Sequence, residues 1–379
     1  MKTIQMVDLK RQYEKIKEEV NCGIQEVIDS TSFIKGGKVI DFQKQLESFL
    51  GVKHVIPVGN GTDALQISLM ALGLQRGDEV ILPTFTFVAT AEVVALLGLT
   101  PVLVDVDTDF CLSIDAVKKA ITPKTKAIVP VHLFGQNADM NALMAIAREH
   151  NLFVVEDACQ SIGSVYTFTN GHKVFSGCMG HIGCTSFFPS KNLGCFGDGG
   201  AIFTNDDQLA AELRSVANHG MVVRYHHDRV GVNSRLDSIQ AAVLEVKLKH
   251  LDAYAAARQS AADFYDNAFR ECTSVIIPKR NPDSTHVFHQ YTLILQGVDR
   301  EALRAWLAQK GVPSMVYYPV PLHLQKAYRN ERYSEGDFPV AERLSANVLS
   351  LPMHTELDVE QLTFITEMVK EGLEVNKRS

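Results

Sequence analysis

The sequence predicts an α/β protein in which a mostly parallel seven-stranded sheet carries helices on both faces and is followed by a smaller C-terminal α+β lobe. Two observations support this prediction. Between residues 54 and 204, short apolar runs alternate with segments of helix length, as in a parallel sheet with crossover helices. After residue 275, strand-like and helix-like segments follow without that alternation. A chain of 379 residues is long enough for two domains, and we expect a large domain at 1–250 and a small one at 251–379.

The elements of the large domain follow from the spacing of apolar residues. From Lys10 to Ile28 these residues recur at helical spacing, which predicts a first helix. Short apolar runs predict strands at His54–Val58, Glu79–Leu82, Pro101–Asp105, Lys126–Val131, Leu152–Glu156, Gly183–Phe187 and Ala201–Thr204. The helical segments between them are Thr62–Leu74, Val88–Leu97, Ile114–Ile121 and Met140–His150.

The small domain is expected to follow a long helical stretch. That stretch runs from Leu236 to Glu271. Beyond it, the pattern predicts strands near Val287–Leu295 and Val312–Tyr317, and helices near Arg300–Lys310 and Asp358–Glu371.

The composition argues against several classes of protein. A formal net charge of −7 gives no general attraction to nucleic acid or to an anionic membrane. Acidic residues interrupt every long apolar run, and the first residues lack the core of a signal peptide. Seven cysteines without a C-x-x-C pair are typical of reduced thiols. We therefore expect a cytoplasmic enzyme without nucleic-acid or membrane partners.

Two motifs place an amine and an acid at the edge of one predicted site. Lys191 stands in Ser-Phe-Phe-Pro-Ser-Lys-Asn, just before a glycine-dense run. Asp157 follows the apolar run Leu152–Val155, where ligands of open α/β sheets bind. Pyridoxal phosphate (PLP) enzymes need a lysine for the Schiff base and a carboxylate for the pyridinium nitrogen. The pair therefore indicates a PLP enzyme, although the pattern around Asp157 alone also suits a loop cap. Glu156 is expected to point to the opposite face.

The phosphate of such a cofactor needs hydrogen-bond donors, and a strand-to-helix turn offers them. Gly61 and Thr62 open a predicted helix, and backbone N–H groups at a helix start attract anions. Taken alone, this short motif is more typical of an ordinary turn. Ser186 and Ser190 flank Lys191 and are candidates for additional hydroxyl donors.

Other side chains near these motifs are candidates for contacts with the cofactor ring. Gln160 is placed to hydrogen-bond the ring hydroxyl. Phe85 and Phe87 stand where a strand gives way to a helix, and one of them is a candidate for stacking on the ring. Packing in the core is the more common role of a buried phenylalanine.

Two further segments are candidates for substrate binding. Residues 224–235 hold three arginines and two histidines, and arginine suits phosphate and carboxylate groups; a solvated basic loop would have the same composition. Residues 317–323 place Tyr317, Tyr318 and His323 in a proline-stiffened loop, which equally suits packing between lobes. The two histidines of the first segment have no other ligand at metal-binding spacing, so we expect no metal site.

Four motifs, in order and spacing, resemble the DegT/DnrJ/EryC1/StrS sugar aminotransferases. They are Gly61–Leu65, Glu156–Ser161, Ser186–Lys191 and Gly231–Asp237. The likeness extends from about residue 7 to residue 373. It implies the type I (aspartate aminotransferase) fold of PLP-dependent enzymes, with PLP as the cofactor. It also implies a homodimer that has both active sites at the subunit interface.

The resemblance implies roles for the residues around the cofactor ring. Lys191 looks like the lysine that holds the cofactor, and Asp157 like the partner of the pyridine nitrogen. Gln160 is similar to the residue at the ring hydroxyl. Phe87 and Ala158 match the residues against the two faces of the ring.

The resemblance also implies a phosphate site that two subunits share. Gly61, Thr62 and Ser186 match the residues of the phosphate cradle. Asn233 resembles the residue that reaches the phosphate of the cofactor in the partner subunit, which is why a dimer is implied.

Within the family, the two candidate substrate segments look most like the branch that aminates UDP-2-acetamido-2-deoxy-3-oxo-glucuronate. That branch serves bacterial surface polysaccharides such as O-antigen. Arg235 would face the sugar carboxylate, and the further implied substrate contacts are Arg229, Tyr317, Tyr318 and His323. The chain departs from the family at Thr167–Met179, which is longer than usual, and at Tyr317, where a histidine often stands. Both departures are expected to touch the substrate side.

Glutamate is the expected amino donor, and Lys191 is the expected acid–base group in both half-reactions. The alternatives are amination of another keto-sugar (3-keto or 4-keto, TDP- or UDP-linked), a PLP sugar dehydratase, and a non-catalytic binding protein with the same fold. Dehydratases of this type tend to replace the lysine with histidine, whereas this chain keeps Lys191. A Rossmann-type enzyme is disfavoured, because no G-x-G-x-x-G follows the first strand.

Overall fold

The computed structural model of the protein describes residues 3–377. Its strands are β1 (His54–Val58), β2 (Glu79–Pro83), β3 (Thr100–Val104), β4 (Thr125–Ile128), β5 (Phe153–Asp157), β6 (Val165–Thr167), β7 (Lys173–Phe175), β8 (Ile182–Ser186), β9 (Gly200–Thr204), β10 (Val275–Ile276), β11 (Tyr291–Leu295) and β12 (Val348–Leu351). Its α-helices are α1 (Leu9–Ser30), α2 (Gly37–Leu50), α3 (Gly61–Ala71), α4 (Ala89–Leu96), α5 (Ile114–Ala120), α6 (Met140–His150), α7 (Asp207–Ala217), α8 (Ser238–Leu248), α9 (Leu251–Phe269), α10 (Arg300–Gln309), α11 (Pro339–Asn347) and α12 (Val359–Val375). Within this range, no helix has both the length and the apolar character needed to cross a bilayer.

The seven predicted strands of the large domain form one sheet, in the order β1-β9-β8-β5-β4-β2-β3. The pairs from β8 to β3 are parallel, whereas β9 is antiparallel to both β8 and β1. Helices α3, α4 and α7 bury one face of the sheet, and α2, α5, α6 and α8 bury the other. The prediction of a mostly parallel seven-stranded sheet between two helical layers is confirmed.

The second lobe is built on a three-stranded antiparallel sheet, β10-β11-β12, on which α9, α10 and α12 pack. Ile4, close to the start of the chain, is buried in this core. The expected strand at Val312–Tyr317 is absent from the structure: Met315 makes a single bridge to Ser350, and the chain then turns towards a cavity. The helical stretch predicted from Leu236 to Glu271 is interrupted, since α8 ends at residue 248 and α9 begins at residue 251.

The long segment Thr167–Met179 belongs largely to a β-hairpin. Strands β6 and β7 pair from Val165 to Phe175, and the buried Tyr166 anchors the hairpin on α6 by donating to the Asp139 carboxylate at 3.2 Å. None of its residues lines the cavity at the sheet edge in this chain. The segment therefore does not contribute to the cavity wall of its own chain, and its expected contact with the substrate stays a prediction.

Candidate active site

A cavity of about 630 Å³ lies at the carboxyl-terminal edge of the parallel strands. Its wall comes from the ends of β2, β5 and β8, the start of α3, the turn after β8 and two segments of the second lobe. The sequence-predicted site residues in this wall are Gly61, Thr62, Phe87, Asp157, Gln160, Ser186, Lys191, Tyr317 and Tyr318. The lysine and the aspartate that indicated the site therefore share one cavity.

Lys191 lies in the turn that follows β8. Its backbone N–H donates to the Phe188 carbonyl at 2.8 Å, and a Cβ on Gly194 would overlap the Pro189 carbonyl, so this turn requires glycine at position 194. Burial lowers the pKa of the Lys191 amine, and the nearby Asp157 only partly opposes that effect. A lower pKa raises the fraction of neutral amine near neutral pH, and the neutral amine is the form that attacks a carbonyl group.

Asp157, the last residue of β5, is buried and held by two hydrogen bonds. The Thr90 hydroxyl donates to its Oδ2 at 2.8 Å, and the Cys159 N–H donates to its Oδ1 at 3.2 Å. Both bonds fix the orientation of the carboxylate. Glu156 points to the opposite face, as predicted, where it accepts from three backbone N–H groups and pairs with His132 at 2.8 Å. Asp157 is therefore the carboxylate that this strand presents to the cavity.

The structure corrects one residue of the predicted ring site. In the turn that follows β5, Cys159 and Gln160 line the cavity with Asp157, while Ala158 does not. A Cβ added at Gly177, behind the sheet, would lie 3.2 Å from the Ala158 Cβ. Cys159 therefore takes the place in the wall that was expected for Ala158.

The start of α3 closes one end of the cavity. The Asn60 side chain caps the helix by accepting from the Asp63 N–H at 2.8 Å, and the first helical N–H groups belong to Gly61 and Thr62. A Cβ at position 61 would lie 2.7 Å from the Ser186 Cβ, so the close contact between α3 and β8 requires glycine. A helix start of this kind, beside a serine hydroxyl, suits a phosphate group.

A chain of hydrogen bonds and rings forms the opposite wall. The Phe134 N–H donates to Gln160 Oε1 at 2.9 Å, and Gln160 Nε2 donates to the Tyr318 hydroxyl at 3.1 Å. Burial raises the pKa of that phenol. The Phe87 ring is 52% exposed and lies 6.2 Å from the Tyr318 ring, whereas Phe85 is fully buried. Phe87 is thus the phenylalanine available to stack on a ligand, and Phe85 belongs to the core.

Three predicted residues lie outside the cavity wall of their own chain. Asn233 is exposed and Arg235 half-buried, and neither lines the cavity. Arg229 forms an ion pair with Glu212 of α7. All three lie in one segment, residues 229–235, which precedes α8.

His323 is also outside the wall, and its contacts disagree with its predicted substrate role. The side chain is buried, with Nδ1 2.9 Å from the Thr84 hydroxyl and Nε2 3.0 Å from the Glu342 carboxylate. Because both ring nitrogens are engaged, His323 joins the end of β2 to α11 instead of facing a ligand. Packing between lobes was the alternative prediction for this loop, and it fits His323, whereas Tyr317 and Tyr318 do line the cavity.

The wall also contains polar residues that the sequence analysis did not identify. They are Asn60, Asp63, Thr86, Asp198, His289 and Gln290. Thr86 stands beside Phe87, so the neighbouring motif was a usable signal for it. His289 and Gln290 come from the segment that enters β11, and nothing in their local sequence connects them with Lys191.

The residues of this cavity fit PLP. The buried Asp157 carboxylate suits the ring nitrogen, and the Lys191 amine, with its lowered pKa, suits the aldehyde. The exposed Phe87 ring suits the cofactor ring, and the start of α3 beside Ser186 suits the phosphate. When bound, the cofactor supplies an electron sink for the carbon that carries the amino group. The fold and the cavity together define a PLP-dependent enzyme.

Comparison with known sequences agrees with this class. The DegT/DnrJ/EryC1/StrS aminotransferase family matches residues 14–370. The chain is 46% identical to the UDP-2-acetamido-2-deoxy-3-oxo-D-glucuronate aminotransferase of Pseudomonas aeruginosa, over 96% of this chain and 98% of that protein. It is 44% identical to the UDP-N-acetyl-3-dehydro-alpha-D-glucosamine 3-aminotransferase of Acidithiobacillus ferrooxidans, over 98% of each. A protein of Geobacillus stearothermophilus described as a pleiotropic regulatory protein is 45% identical, over 97% of this chain and 98% of that protein.

A solved structure shows the same fold. DesV of S. venezuelae, in complex with a ketimine intermediate, superposes with a TM-score of 0.94 at 38% identity, and the match covers 99% of each chain. The chain belongs to the DegT/DnrJ/EryC1/StrS aminotransferase family. It is a PLP-dependent sugar aminotransferase, and the expectations of the family, fold, cofactor and enzyme class are confirmed.

Proposed function

We propose that the protein transfers an amino group from glutamate to carbon 3 of a UDP-linked 2-acetamido-3-keto sugar. The names of two relatives, at 46% and 44% identity, describe substrates with three features in common: UDP, an N-acetyl group and a 3-keto group. These three features form the core of the proposal. The preferred substrate is UDP-2-acetamido-2-deoxy-3-oxo-glucuronate, and its product would serve a bacterial surface polysaccharide such as O-antigen. The proposed location is the cytoplasm.

The charges in the cavity support a second subunit. Among the described residues that line it, the only lysine is Lys191, the acidic residues are Asp63, Asp157 and Asp198, and arginine is absent. Glutamate and a nucleotide-linked uronate are anions, and arginine is the side chain best suited to carboxylates and phosphates. We therefore propose a homodimer in which the segment 229–235 of the partner subunit enters this cavity.

The surface of the same region supports the dimer. Val222, Tyr225 and Val230 are 72%, 75% and 84% exposed in the single chain. Large exposed apolar side chains within and beside a basic segment favour a protein–protein interface there. In the proposed dimer, Asn233 contacts the phosphate of the opposite cofactor, and Arg229 and Arg235 contact the anionic substrates.

Each wall residue has a defined task in the proposed reaction. The neutral Lys191 amine binds the cofactor aldehyde and, once displaced by the amino donor, moves the proton at the carbon that carries the amino group. Asp157 keeps a positive charge on the ring nitrogen, Phe87 orients the ring, and Gln160 lies at the ring hydroxyl. Tyr317 and Tyr318 approach from the second lobe, where they are placed to orient the sugar.

The substrate is tested by comparing two keto-sugars with glutamate as donor: UDP-2-acetamido-2-deoxy-3-oxo-glucuronate and UDP-N-acetyl-3-dehydroglucosamine. We expect a higher kcat/KM for the uronate. Arg235→Ala should lower kcat/KM for the uronate by roughly tenfold or more, since a charged hydrogen bond contributes about 1.5–3 kcal/mol. It should change the value for the glucosamine sugar much less. If Arg235→Ala lowered kcat/KM by the same factor for both sugars, Arg235 would be rejected as the residue that binds the carboxylate.

The shared site is tested by mixing subunits. Lys191→Ala and Asn233→Ala are both expected to be inactive or severely impaired alone. After random exchange, half of the dimers would be mixed, and each would hold one intact site and one doubly altered site, so about a quarter of the wild-type activity should return. No recovery despite mass-spectrometric proof of exchange would mean that Lys191 and Asn233 of the same subunit serve one site, against the proposal.

A further inference from the structure

His289 is a buried polar side chain in the cavity wall to which the reaction described above gives no task. The residue is 6% exposed, and its imidazole lines the same cavity as Lys191. Its Nδ1 is buried and has no hydrogen-bond partner among the residues the structure describes. Since buried polar atoms in folded proteins are almost always paired, an unpaired nitrogen at a reaction site needs an explanation.

The backbone around His289 is fixed on several sides. The Val287 N–H donates to the Gly135 carbonyl at 2.9 Å, and the Gln290 N–H donates to the Phe134 carbonyl at 3.3 Å. Arg258, buried under this segment, donates to the Phe288 carbonyl at 3.0 Å and to the His289 carbonyl at 3.4 Å. The backbone that carries the imidazole is therefore held in place on several sides.

The same segment is tied directly to the turn that carries Lys191. The side-chain amide of Asn192, the next residue after Lys191, donates to the Val287 carbonyl at 2.8 Å. The bond joins the two lobes at the point where the lysine and the histidine enter the cavity. Their relative position is therefore set by the same contacts that assemble the site.

The imidazole is neutral in this environment. Burial lowers the pKa of His289 well below its usual range, and the positive charges of Lys191 and Arg258 lower it further. A neutral imidazole presents one acceptor nitrogen and one donor N–H, so it can accept a hydrogen bond from an amine or from an ammonium group. It does so without adding a charge that would repel the ammonium form.

We propose that His289 is a positioning residue for the Lys191 amine, which it holds by a hydrogen bond during the part of the reaction in which that amine is free. The lysine must take a proton from one carbon and deliver it to another. A partner that accepts a hydrogen bond from both the amine and the ammonium form keeps the lysine side chain close to both carbons. The inference concerns the half-reaction with the amino donor, so it does not depend on which sugar is the acceptor.

The test compares three variants. His289→Leu removes both ring nitrogens, and His289→Gln keeps an acceptor and a donor. His354→Leu is the matched control, since His354 is a buried histidine of the second lobe with an unpartnered Nε2 and lies outside the cavity wall. Circular dichroism and thermal unfolding establish that each variant folds.

The first measurement uses the cofactor-free protein, in which competitive labelling of amines followed by mass spectrometry gives the pH of half-maximal labelling of Lys191. Loss of an acceptor destabilises the ammonium form, so the half-point should move to lower pH in His289→Leu. It should move less in His289→Gln and stay unchanged in His354→Leu. An unchanged half-point in His289→Leu would overturn the proposal.

The second measurement is the half-reaction of the PLP-loaded enzyme with glutamate, followed in a stopped-flow spectrometer. Loss of one hydrogen bond to a charged group should slow this step by roughly tenfold or more in His289→Leu, with the half-saturating glutamate concentration unchanged. The isotope effect with α-deuterated glutamate should increase, and His289→Gln should recover most of the rate. An equal loss of rate in His354→Leu, or no recovery by glutamine, would show that His289 only packs the lobe.

Discussion

The contact between α3 and β8 predicts that a single methyl group at Gly61 disrupts the cofactor site. In Gly61→Ala the new Cβ would lie 2.7 Å from the Ser186 Cβ and 2.9 Å from the Cys159 Sγ, which is closer than such atoms approach in real proteins. Ser186 is paired with Gly200 in the sheet, so it has little freedom to retreat. The strain must therefore displace the start of α3, where the phosphate is expected to bind.

The structure also supplies a matched control. Gly37 is the first residue of α2, as Gly61 is of α3, and a Cβ at position 37 would meet nothing within 4 Å. Overpacking a tight contact costs about 1–3 kcal/mol, which is the expected loss of unfolding free energy in Gly61→Ala. Gly37→Ala has no overlap to relieve and loses only the extra freedom of glycine in the unfolded chain, so it should be as stable as wild type or up to about 1 kcal/mol more stable.

Urea unfolding of the cofactor-free proteins measures the change in unfolding free energy. Titration of each protein with PLP measures the effect on cofactor binding. Gly61→Ala should bind PLP at least about tenfold more weakly, because each 1.4 kcal/mol of displaced contact raises Kd tenfold. Gly37→Ala should bind PLP like wild type. Wild-type stability and wild-type PLP affinity in Gly61→Ala would refute the argument that the close approach of α3 and β8 builds the phosphate site.

Three further predictions follow from the charged groups. Lys191→Ala should abolish turnover while the protein still binds PLP non-covalently, and full retained activity in a steady-state assay would contradict the assignment. Because burial lowers the pKa of Lys191, the rate at which the cofactor-free protein binds PLP should rise with pH and level off below the pKa of an ordinary lysine. A stopped-flow profile that still rises at about pH 10 would contradict this. Asp157→Asn should reduce kcat by roughly 10²-fold or more, and Thr90→Val, which removes only the hydroxyl donor to Asp157, should reduce it less in the same assay.

The large sheet was predictable because its strands are buried on both faces. A strand such as β2, with every residue buried, reads as a continuous apolar run, and its flanking helices read at helical spacing. The second lobe gave weaker signals. Val312–Tyr317 has the composition of a strand, but it makes only one β-bridge, from Met315 to Ser350, and its last residue lines the cavity. The division into domains at 1–250 and 251–379 stays a prediction.

Within the site, the predictable residues were those with a reactive side chain that lies in a short motif directly after a strand. Lys191 and Asp157 each follow a strand of the sheet, and the carboxyl ends of such strands meet at one edge. Cys159, and not Ala158, lines the cavity, and the turn after β5 that determines this is not visible in the motif itself. His289 was missed because its relation to Lys191 is created only by the packing of two lobes.

The contacts of His323 show how the two lobes are held together around the cavity. Lys191 and Asp157 come from the large sheet, whereas Tyr318 and His289 come from the second lobe, so the cavity exists only while the lobes remain packed. His323 bonds to the end of β2 and to α11, and it lies a few residues after Tyr318. The imidazole therefore fixes the loop that carries the two tyrosines against the edge of the sheet.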